Sequence, residues 1–283
     1  MTHDHDRGLA HDLTLLADFA ARRRALLTLG LGLSALPLLA CAGSKLADQN
    51  GTTAAGAAGA TGAAGAGNTT TGTDSSCAKI PEETAGPFPG DGTNGANALT
   101  LAGIVRSDIR LSVGGATGVA DGIPLSVTLT IVDSSNGCKR LAGYAVYVWH
   151  CDRDGNYSMY SPAAQSENYL RGVQETDENG QVTFATIFPA CYSGRWPHIH
   201  FEVYPSLDMA SSGKSKLAAS QLALPEASCN DVFASTGYET SITNLSQVSL
   251  KTDGVFSDGA DQETPAVTGS VDAGYQATLS VAI

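Results

Sequence analysis

The sequence predicts an all-β fold, a β-sandwich with long loops, for residues 77–283. Three observations support this class. Short stretches with apolar residues at every second position recur, Asp-Gly and Asn-Gly pairs separate them, and no apolar pattern of helical period exceeds two turns. Alternation places apolar side chains on one face of a strand, and the glycine-containing pairs favour tight turns. Frequent short strands with such turns are typical of a sandwich or barrel.

Three segments alternate most clearly between apolar and polar residues: residues 125–131, 198–204 and 275–283. In the first, leucine, valine and isoleucine alternate with serine and threonine, which predicts a strand with one buried face. The second begins with two histidines that flank Ile199, and the third ends the chain. Glu82–Asn97 and Tyr204–Gln221 are predicted to be long loops, which often carry function in compact domains.

The charge balance disfavours two classes of partner. The chain has 28 acidic and 16 basic side chains, which gives a formal net charge of −12 at pH 7. Nucleic acids and anionic membrane surfaces are themselves negatively charged and repel such a chain. No nucleic-acid partner is therefore expected, and contact with a membrane is expected only through a covalent lipid.

Residues 1–40 have the layout of an export signal. Arg22–Arg24 precede an uncharged apolar run, Ala25–Ala40, which is shorter than the ~20 residues of a membrane-spanning helix. The arginines and the long polar stretch before them resemble a twin-arginine signal, although ordinary secretory export also fits. Leu38–Cys41 resembles a bacterial lipobox with Cys41 as the lipidated residue. We expect an exported protein anchored to the cell envelope through Cys41; a buried N-terminal helix is the alternative.

Residues 41–76 are predicted to form a flexible tether between this anchor and the domain. Their second part, Gly51–Ser76, is rich in alanine, glycine and threonine and has no aromatic or large aliphatic side chain. Such a segment cannot bury enough surface to offset the entropy lost on ordering. The folded domain is therefore expected to begin at Cys77 and to extend to Ile283.

The predicted domain has five cysteines, so at most two disulfides can form and one thiol is left over. They are Cys77, Cys138, Cys151, Cys191 and Cys229. The sequence does not determine which of them pair. Cys-x-x-Cys spacing is absent from the sequence, so the cysteines give no support for a zinc site.

His198–His200, with the sequence His-Ile-His, lies within a predicted strand. Alternate side chains of a strand point to the same face, so Ile199 is expected in the core and both imidazoles on the opposite side. Neutral imidazole is a common ligand for iron, copper and zinc. A pair of partly exposed histidines without a metal is the alternative. His150, which follows another predicted strand, is interpreted as a structural histidine.

Two stretches near these histidines resemble the intradiol ring-cleavage dioxygenases, the family of catechol and protocatechuate dioxygenases. The denser stretch, Tyr169–His200, reads YLRGVQETDENGQVTFATIFPACYSGRWPHIH. The other, Trp149–Ser158, reads WHCDRDGNYS and places Tyr157 just after an Asp-Gly turn. The resemblance extends over roughly residues 77–283 and implies the sandwich fold of that family.

In that family a mononuclear non-haem ferric ion is held by two tyrosines and two histidines. The resemblance implies that Tyr192 and His200 are the axial ligands here and that Tyr157 and His198 are the equatorial ligands. Phenolates are hard anionic donors that favour Fe³⁺, and a cation lowers the pKa of tyrosine from its usual ~10. The implied reaction uses O₂ to open a catechol-type ring between its two hydroxyl-bearing carbons, giving a muconate-type dicarboxylate.

Further positions match the family less directly. Arg195 matches an arginine next to the substrate ring and Gln221 a glutamine near the metal, where a cation and an amide stabilise negative charge on the substrate. Thr84–Phe88 resembles the segment that lines the substrate entrance, with an alanine in place of the usual glutamate. Arg171 and Gln174 are interpreted as structural support.

Two other functions fit the sequence. One is a surface-anchored β-sandwich binding module without catalytic activity, and the other is a copper or zinc protein that uses only His198 and His200. Colour separates them, because a ferric–phenolate protein is red-purple and a zinc protein is colourless. The helical N-terminal dimerisation segment of cytosolic catechol dioxygenases is replaced here by the predicted tether. That replacement leaves the oligomeric state open. The sequence also does not determine the ring substituents of the substrate, which depend on the shape of the long loops, or the physiological pathway.

Overall fold

Nine β-strands form two sheets with a shared core in the computed structural model, which describes residues 77–283. The predicted export signal, lipobox and tether lie outside these residues. The strands are β1 (Pro124–Asp133), β2 (Lys139–Arg140), β3 (Ala145–Trp149), β4 (Arg171–Glu175), β5 (Gln181–Ile187), β6 (His198–Tyr204), β7 (Ala218–Ala223), β8 (Ala266–Ser270) and β9 (Gly274–Ala282). The predicted all-β sandwich is confirmed.

The predicted site residues His198 and His200 belong to the second of the two sheets. The first sheet has the order β2-β1-β9-β8, with β5 also paired to β1, and β1 and β9 run parallel. The second sheet has the order β4-β3-β6-β7 and is antiparallel throughout. Within it, His200 of β6 lies opposite Trp149 of β3 on one side and Gln221 of β7 on the other. His200 therefore lies between two paired strands, whereas His198, at the start of β6, is paired with Ala223 of β7 alone.

The core lies between the two sheets and is built from the alternating strands, as predicted. Residues that belong to it include Leu125, Val127, Leu129 and Ile131 of β1 and Ile199, Phe201 and Val203 of β6. Complete burial of such a side chain contributes roughly 1.5–3 kcal/mol. Because side chains alternate along β6, the inward position of Ile199 places His198 and His200 on the outer face of the second sheet.

Helical structure in the described part of the chain is limited to short segments. The helices there are α1 (Glu226–Phe233) and α2 (Glu239–Leu245), both of which follow β7. Single turns of 3₁₀-helix occur at Gly213–Ser215 and Phe256–Asp258. Within residues 77–283, no helix is long and apolar enough to cross a membrane.

One of the two predicted long loops is confirmed and the other is wrong at its ends. Glu82–Asn97 contains no strand apart from an isolated bridge between Asp91 and Asn97. Tyr204–Gln221 was predicted as a loop, but Tyr204 is the last residue of β6 and Gln221 lies within β7. The reason is that the two polar residues of β7, Ser220 and Gln221, are adjacent, so its sequence shows no alternation by which a strand could be recognised.

A disulfide joins Cys77, at the start of the described domain, to Cys138 in the turn after β1, with 5.7 Å between the Cα atoms. Cys151, Cys191 and Cys229 are free and buried. The bond closes a loop across a sequence separation of 61 residues. A cross-link that closes a loop of this size lowers the entropy of the unfolded chain, which raises the free energy of unfolding by about 4 kcal/mol.

Candidate metal centre

Four side chains converge on the outer face of the second sheet: those of Tyr157, Tyr192, His198 and His200. The Nε2 atom of His198 lies 3.2 Å from Nε2 of His200 and 3.3 Å from each of the two tyrosine hydroxyls. The two hydroxyls are 3.5 Å apart. Tyr157, His198 and His200 are buried, whereas Tyr192 is partly exposed. We call this group the four-residue cluster.

Both histidines are held by neighbouring residues. The Nδ1 atom of His198 lies 2.5 Å from the backbone carbonyl oxygen of Trp196, so Nδ1 carries the proton and Nε2 has a free lone pair. His200 stacks on Trp149 with 4.8 Å between ring centroids and 4° between ring planes. Gly86, at φ +68°, packs so closely that an added Cβ would lie 3.4 Å from His200 Cε1. The alternative of partly exposed strand histidines is wrong, because His198 and His200 are only 2% and 3% exposed.

The two tyrosines reach the cluster from loops. Asp152 begins the turn before Tyr157, and its Oδ1 accepts hydrogen bonds from the backbone N–H groups of Asp154 and Asn156. The backbone N–H of Tyr157 then donates to the Ser161 hydroxyl at 2.9 Å. Tyr192 lies between β5 and β6, in the connection that ends at the histidines.

Burial controls the ionisation of the cluster. Desolvation raises the pKa of Tyr157 well above 10 and raises the pKa of Tyr192 to about 12, although Arg195 opposes both shifts. Desolvation also lowers the pKa of His198 and His200 well below 6.5. Near neutral pH the imidazoles are therefore neutral, and the phenols need a further nearby cation to ionise.

Arg195 and Gln221 form a polar network beside the cluster. Arg195 donates from Nη2 to Gln221 Oε1 at 2.6 Å and from Nε to Asp253 Oδ2 at 2.9 Å, and its Nη1 lies 3.4 Å from His198 Nε2. Gln221 in turn donates from Nε2 to the backbone carbonyl of Thr84 at 2.8 Å. The salt bridge of Arg195 is therefore buried and is not on the surface.

Asp253 was not identified from the sequence as a candidate site residue. It belongs to an Asp-Gly pair that the sequence marks as a turn, and it follows Arg195 by 58 residues. Its side chain is fully buried in the described structure. Sequence spacing carries no signal for a contact between two loops that are so far apart along the chain.

Arg171 supports the cluster from a distance, as predicted. Its guanidinium donates hydrogen bonds to the backbone carbonyls of Phe88, Pro89 and Ser158, and to the hydroxyls of Tyr147 and Ser158. These bonds join the predicted entrance segment to the loop that carries Tyr157. The Phe88 ring, at the end of that segment, lies 5.1 Å from the Tyr157 ring.

Gln174 and His150 lie outside the polar network. The interpretation of Gln174 as support for the site is wrong, because its Nε2 donates to the carbonyl of Thr183 in an exposed contact between strands. The ring of His150 bonds to the carbonyl of Cys151 and to the Thr186 hydroxyl, as a structural histidine does.

The donor atoms of the cluster fit a bound transition metal. An imidazole nitrogen can take part in only one hydrogen bond, as donor or as acceptor. Four polar atoms nevertheless lie within 3.4 Å of His198 Nε2. Ligand atoms lie about 2 Å from such a metal, so neighbouring ligands are roughly 3 Å apart. Across residues 77–283, no group of three or more His, Cys, Asp or Glu residues could hold a metal ion. Besides the two imidazoles, the donor atoms that lie nearest to this position are the two phenol oxygens and Arg195 Nη1, and of these only the phenols can serve as metal ligands.

Comparison with known proteins adds independent information. The sequence profile of a family described as Dioxygenase matches residues 110–199. A chlorocatechol 1,2-dioxygenase of Rhodococcus opacus is 40% identical over 52 residues, which are 18% of this chain and 20% of that protein. A catechol 1,2-dioxygenase 1 of Acinetobacter lwoffii is 32% identical over 115 residues, 36% of this chain and 34% of that protein. The chain thus spans about a third or less of these curated relatives.

Among solved structures, an intradiol ring-cleavage dioxygenase from Tetranychus urticae has the same fold with a TM-score of 0.57. It is 26% identical, and the match covers 73% of this chain and 95% of that one. The structural similarity therefore extends over nearly the whole of the solved chain, well beyond the segment that the family profile matches.

Proposed function

We propose that this chain, which belongs to the intradiol ring-cleavage dioxygenase family, opens a catechol-type ring between its two hydroxyl-bearing carbons with O₂ and releases a muconate-type dicarboxylate. The observation that carries the proposal is the convergence of two phenols and two neutral imidazoles in one buried cluster. The four side chains come from one strand and two separate loops. The packing of a single apolar face therefore does not explain why they lie together.

The cofactor in this proposal is one non-haem ferric ion. Tyr157, Tyr192, His198 and His200 would hold it, since two hard phenolate oxygens favour Fe³⁺ and imidazole is compatible with iron. When bound, ferric iron acts as a Lewis acid and redox centre that makes a catecholate reactive toward O₂. Its charge also supplies the cation that the two buried phenols need in order to ionise.

The remaining groups handle protons and charge. We assign to the Tyr192 phenolate oxygen the role of accepting a proton from a catechol hydroxyl as the substrate binds. Arg195 and Gln221 stabilise negative charge on the substrate, Arg195 through its N–H groups beside His198. Because Arg195 is paired with Asp253, this stabilisation comes from oriented N–H donors with little net charge.

Purification from an iron-replete host tests the proposal. We expect about one iron per chain, a red-purple colour from phenolate-to-iron charge transfer, and oxygen uptake with at least one member of a panel of catechols. A colourless zinc protein, or a blue or green copper protein, supports the metal-site alternative. A metal-free protein that consumes no oxygen supports the non-catalytic binding module.

Replacing Tyr192 with phenylalanine is expected to slow the binding of catechol while substantial iron is retained. The variant keeps three ligands but lacks the base that accepts a substrate proton, so deprotonation becomes slower. Stopped-flow mixing with catechol in the absence of oxygen measures this step. Tyr144→Phe, which alters a partly buried tyrosine outside the cluster, is the control. Formation of the complex by Tyr192→Phe at the wild-type rate contradicts the assigned role.

We also propose that the protein is exported and held to the cell envelope by a lipid on Cys41. Cys41→Ser should release it from the membrane fraction, because Gly51–Ser76 contains no large apolar side chain that could bind a membrane by itself. Fractionation of cells that express either protein, followed by mass spectrometry of the mature N-terminus, measures this. A processed Cys41→Ser protein that stays with the membranes rules out the lipid anchor.

A further inference from the structure

The carboxylate of Asp253 is fully buried and divides its two oxygens between two tasks. Oδ1 accepts hydrogen bonds from the backbone N–H groups of Val255 and Phe256, at 2.8 and 3.1 Å, and closes a local turn. Oδ2 accepts from the Arg195 Nε at 2.9 Å and from the backbone N–H of Trp196 at 2.7 Å.

We propose that Asp253 is a positioning residue for the ring cleavage: its Oδ2 holds the Arg195 guanidinium in the orientation in which that group faces the cluster. This inference rests on the proposed function. It adds a residue from the segment before β8, far from Arg195 in the sequence, to the apparatus of the reaction.

The geometry of the guanidinium explains how this works. Its five N–H groups lie in one plane, so two fixed contacts determine where the third nitrogen points. Asp253 fixes Nε and Gln221 fixes Nη2, at 2.9 and 2.6 Å. The remaining nitrogen, Nη1, is thereby directed to within 3.4 Å of His198 Nε2. Without Asp253 the plane could rotate about the contact with Gln221.

Charge gives the carboxylate a second effect. Arg195 is only 3% exposed, and an unpaired guanidinium so close to the cluster would repel a cation bound there. Asp253 supplies the compensating negative charge inside the protein. The pair can then present N–H donors to an anionic substrate without weakening the binding of the metal.

The alternative is that Asp253 only closes its local turn. Asp253→Asn separates the two tasks, because an asparagine carbonyl can keep the bonds to Val255 and Phe256. Its NH₂ group then lies next to the Arg195 Nε–H, and because both groups are donors, they cannot form a hydrogen bond with each other. The variant therefore retains the turn and loses both contacts of Oδ2, the one with the Arg195 Nε and the one with the backbone N–H of Trp196. Only the first of these losses depends on the presence of Arg195.

A double-mutant cycle with Asp253→Asn and Arg195→Gln tests the proposal in the iron-loaded, full-length protein. We expect Asp253→Asn to lower kcat about 10–100-fold, as loss of a group that orients a neighbour of the metal typically does. In the Arg195→Gln background, the same change should have little further effect. Equal losses in both backgrounds overturn the proposal, because Asp253 would then act independently of Arg195.

Two controls separate positioning from folding. Glu263→Gln changes another fully buried carboxylate, which accepts a hydrogen bond from Ser220, and should leave kcat within about twofold of wild type. Iron content and thermal midpoint are measured for every variant.

If Asp253→Asn does not fold, Asp253→Glu keeps the charge and displaces it by one methylene group. A loss of kcat in that variant that disappears in the Arg195→Gln background supports the proposal, and an unchanged kcat overturns it.

The dissociation constant of 4-nitrocatechol is also measured, in the absence of oxygen, for the wild-type protein and the three variants of the cycle. This measurement does not require turnover. If the wild-type protein consumes no oxygen with any catechol, the proposed ring cleavage fails. Non-additive changes in the dissociation constant of 4-nitrocatechol then still support the positioning role, and additive changes overturn it. A wild-type protein that binds neither iron nor 4-nitrocatechol overturns both proposals.

Discussion

Replacement of His198 with alanine is expected to remove iron from the protein and to lower ring cleavage by more than about 100-fold, the upper range for losing a group that merely supports a ligand. His198 Nε2 is the atom on which both tyrosine hydroxyls and the second imidazole converge. The carbonyl of Trp196 fixes the orientation of its ring, and alanine has no donor atom to replace Nε2. Metal analysis and oxygen uptake measure the two effects.

His150→Ala is the matched control, because His150 is also a buried imidazole but lies outside the cluster. Burial lowers the pKa of His150 to about 4, so its neutral ring acts through hydrogen bonds to Thr186 and Cys151. We expect this variant to melt at a lower temperature while it keeps its iron. A His198→Ala protein with a full complement of iron and wild-type oxygen uptake would remove His198 from the proposed site.

Arg171→Met is expected to cause a large loss of stability, at least about 2 kcal/mol of unfolding free energy. The change removes the donor from the backbone carbonyls of Phe88 and Ser158 and leaves that of Pro89 with the Tyr147 hydroxyl alone. Each carbonyl left without a donor costs roughly 1–3 kcal/mol. Methionine has a similar length and fills the same space, so the loss reports hydrogen bonding more than packing. Urea unfolding of the metal-free proteins measures the difference without a contribution from metal binding.

Arg140→Met provides the comparison, since Arg140 is an exposed residue of β2 that makes one surface hydrogen bond. Its unfolding free energy should stay within about 0.5 kcal/mol of wild type. Equal stability losses in the two variants would mean that the contacts of Arg171 do not join the entrance segment to the loop of Tyr157 as the structure indicates. We further expect oxygen uptake to fall only in Arg171→Met.

The strands that the sequence predicted are those in which polar and apolar residues alternate. β1 and β9 have one buried face and polar residues on the other, and the structure confirms both. β6 is buried at every residue, but its outward residues are polar, so its sequence alternates as well. β3 and β7 are also buried at every residue, and their sequences show no such alternation. Strand recognition from a single sequence depends on chemical contrast between the two faces, which a strand covered on both faces can lack.

The candidate site was accessible to sequence analysis to different degrees. Local geometry places His198 and His200 on one face of a strand, because two residues of a strand separated by one lie on the same side. Tyr157 and Tyr192 were identified through resemblance to the family, since no periodicity links residues in separate loops. The comparisons agree with that resemblance, since a dioxygenase family profile matches residues 110–199 and an intradiol ring-cleavage dioxygenase has the same fold. Asp253 was missed because its contact with Arg195 depends on how a distant loop folds back.

The disulfide between Cys77 and Cys138 has a mechanical consequence. A force transmitted along the chain from residue 76 enters the domain at Cys77, where it meets a covalent bond to the turn after β1. The load then passes into β1, which is paired along its length with β5 and β9 and resists by shear of many hydrogen bonds together. Thr84–Phe88, only a few residues further along the chain, is bypassed. If the proposed lipid on Cys41 anchors the chain, a pull from the membrane would therefore not load the segment that contacts Gln221 and Tyr157.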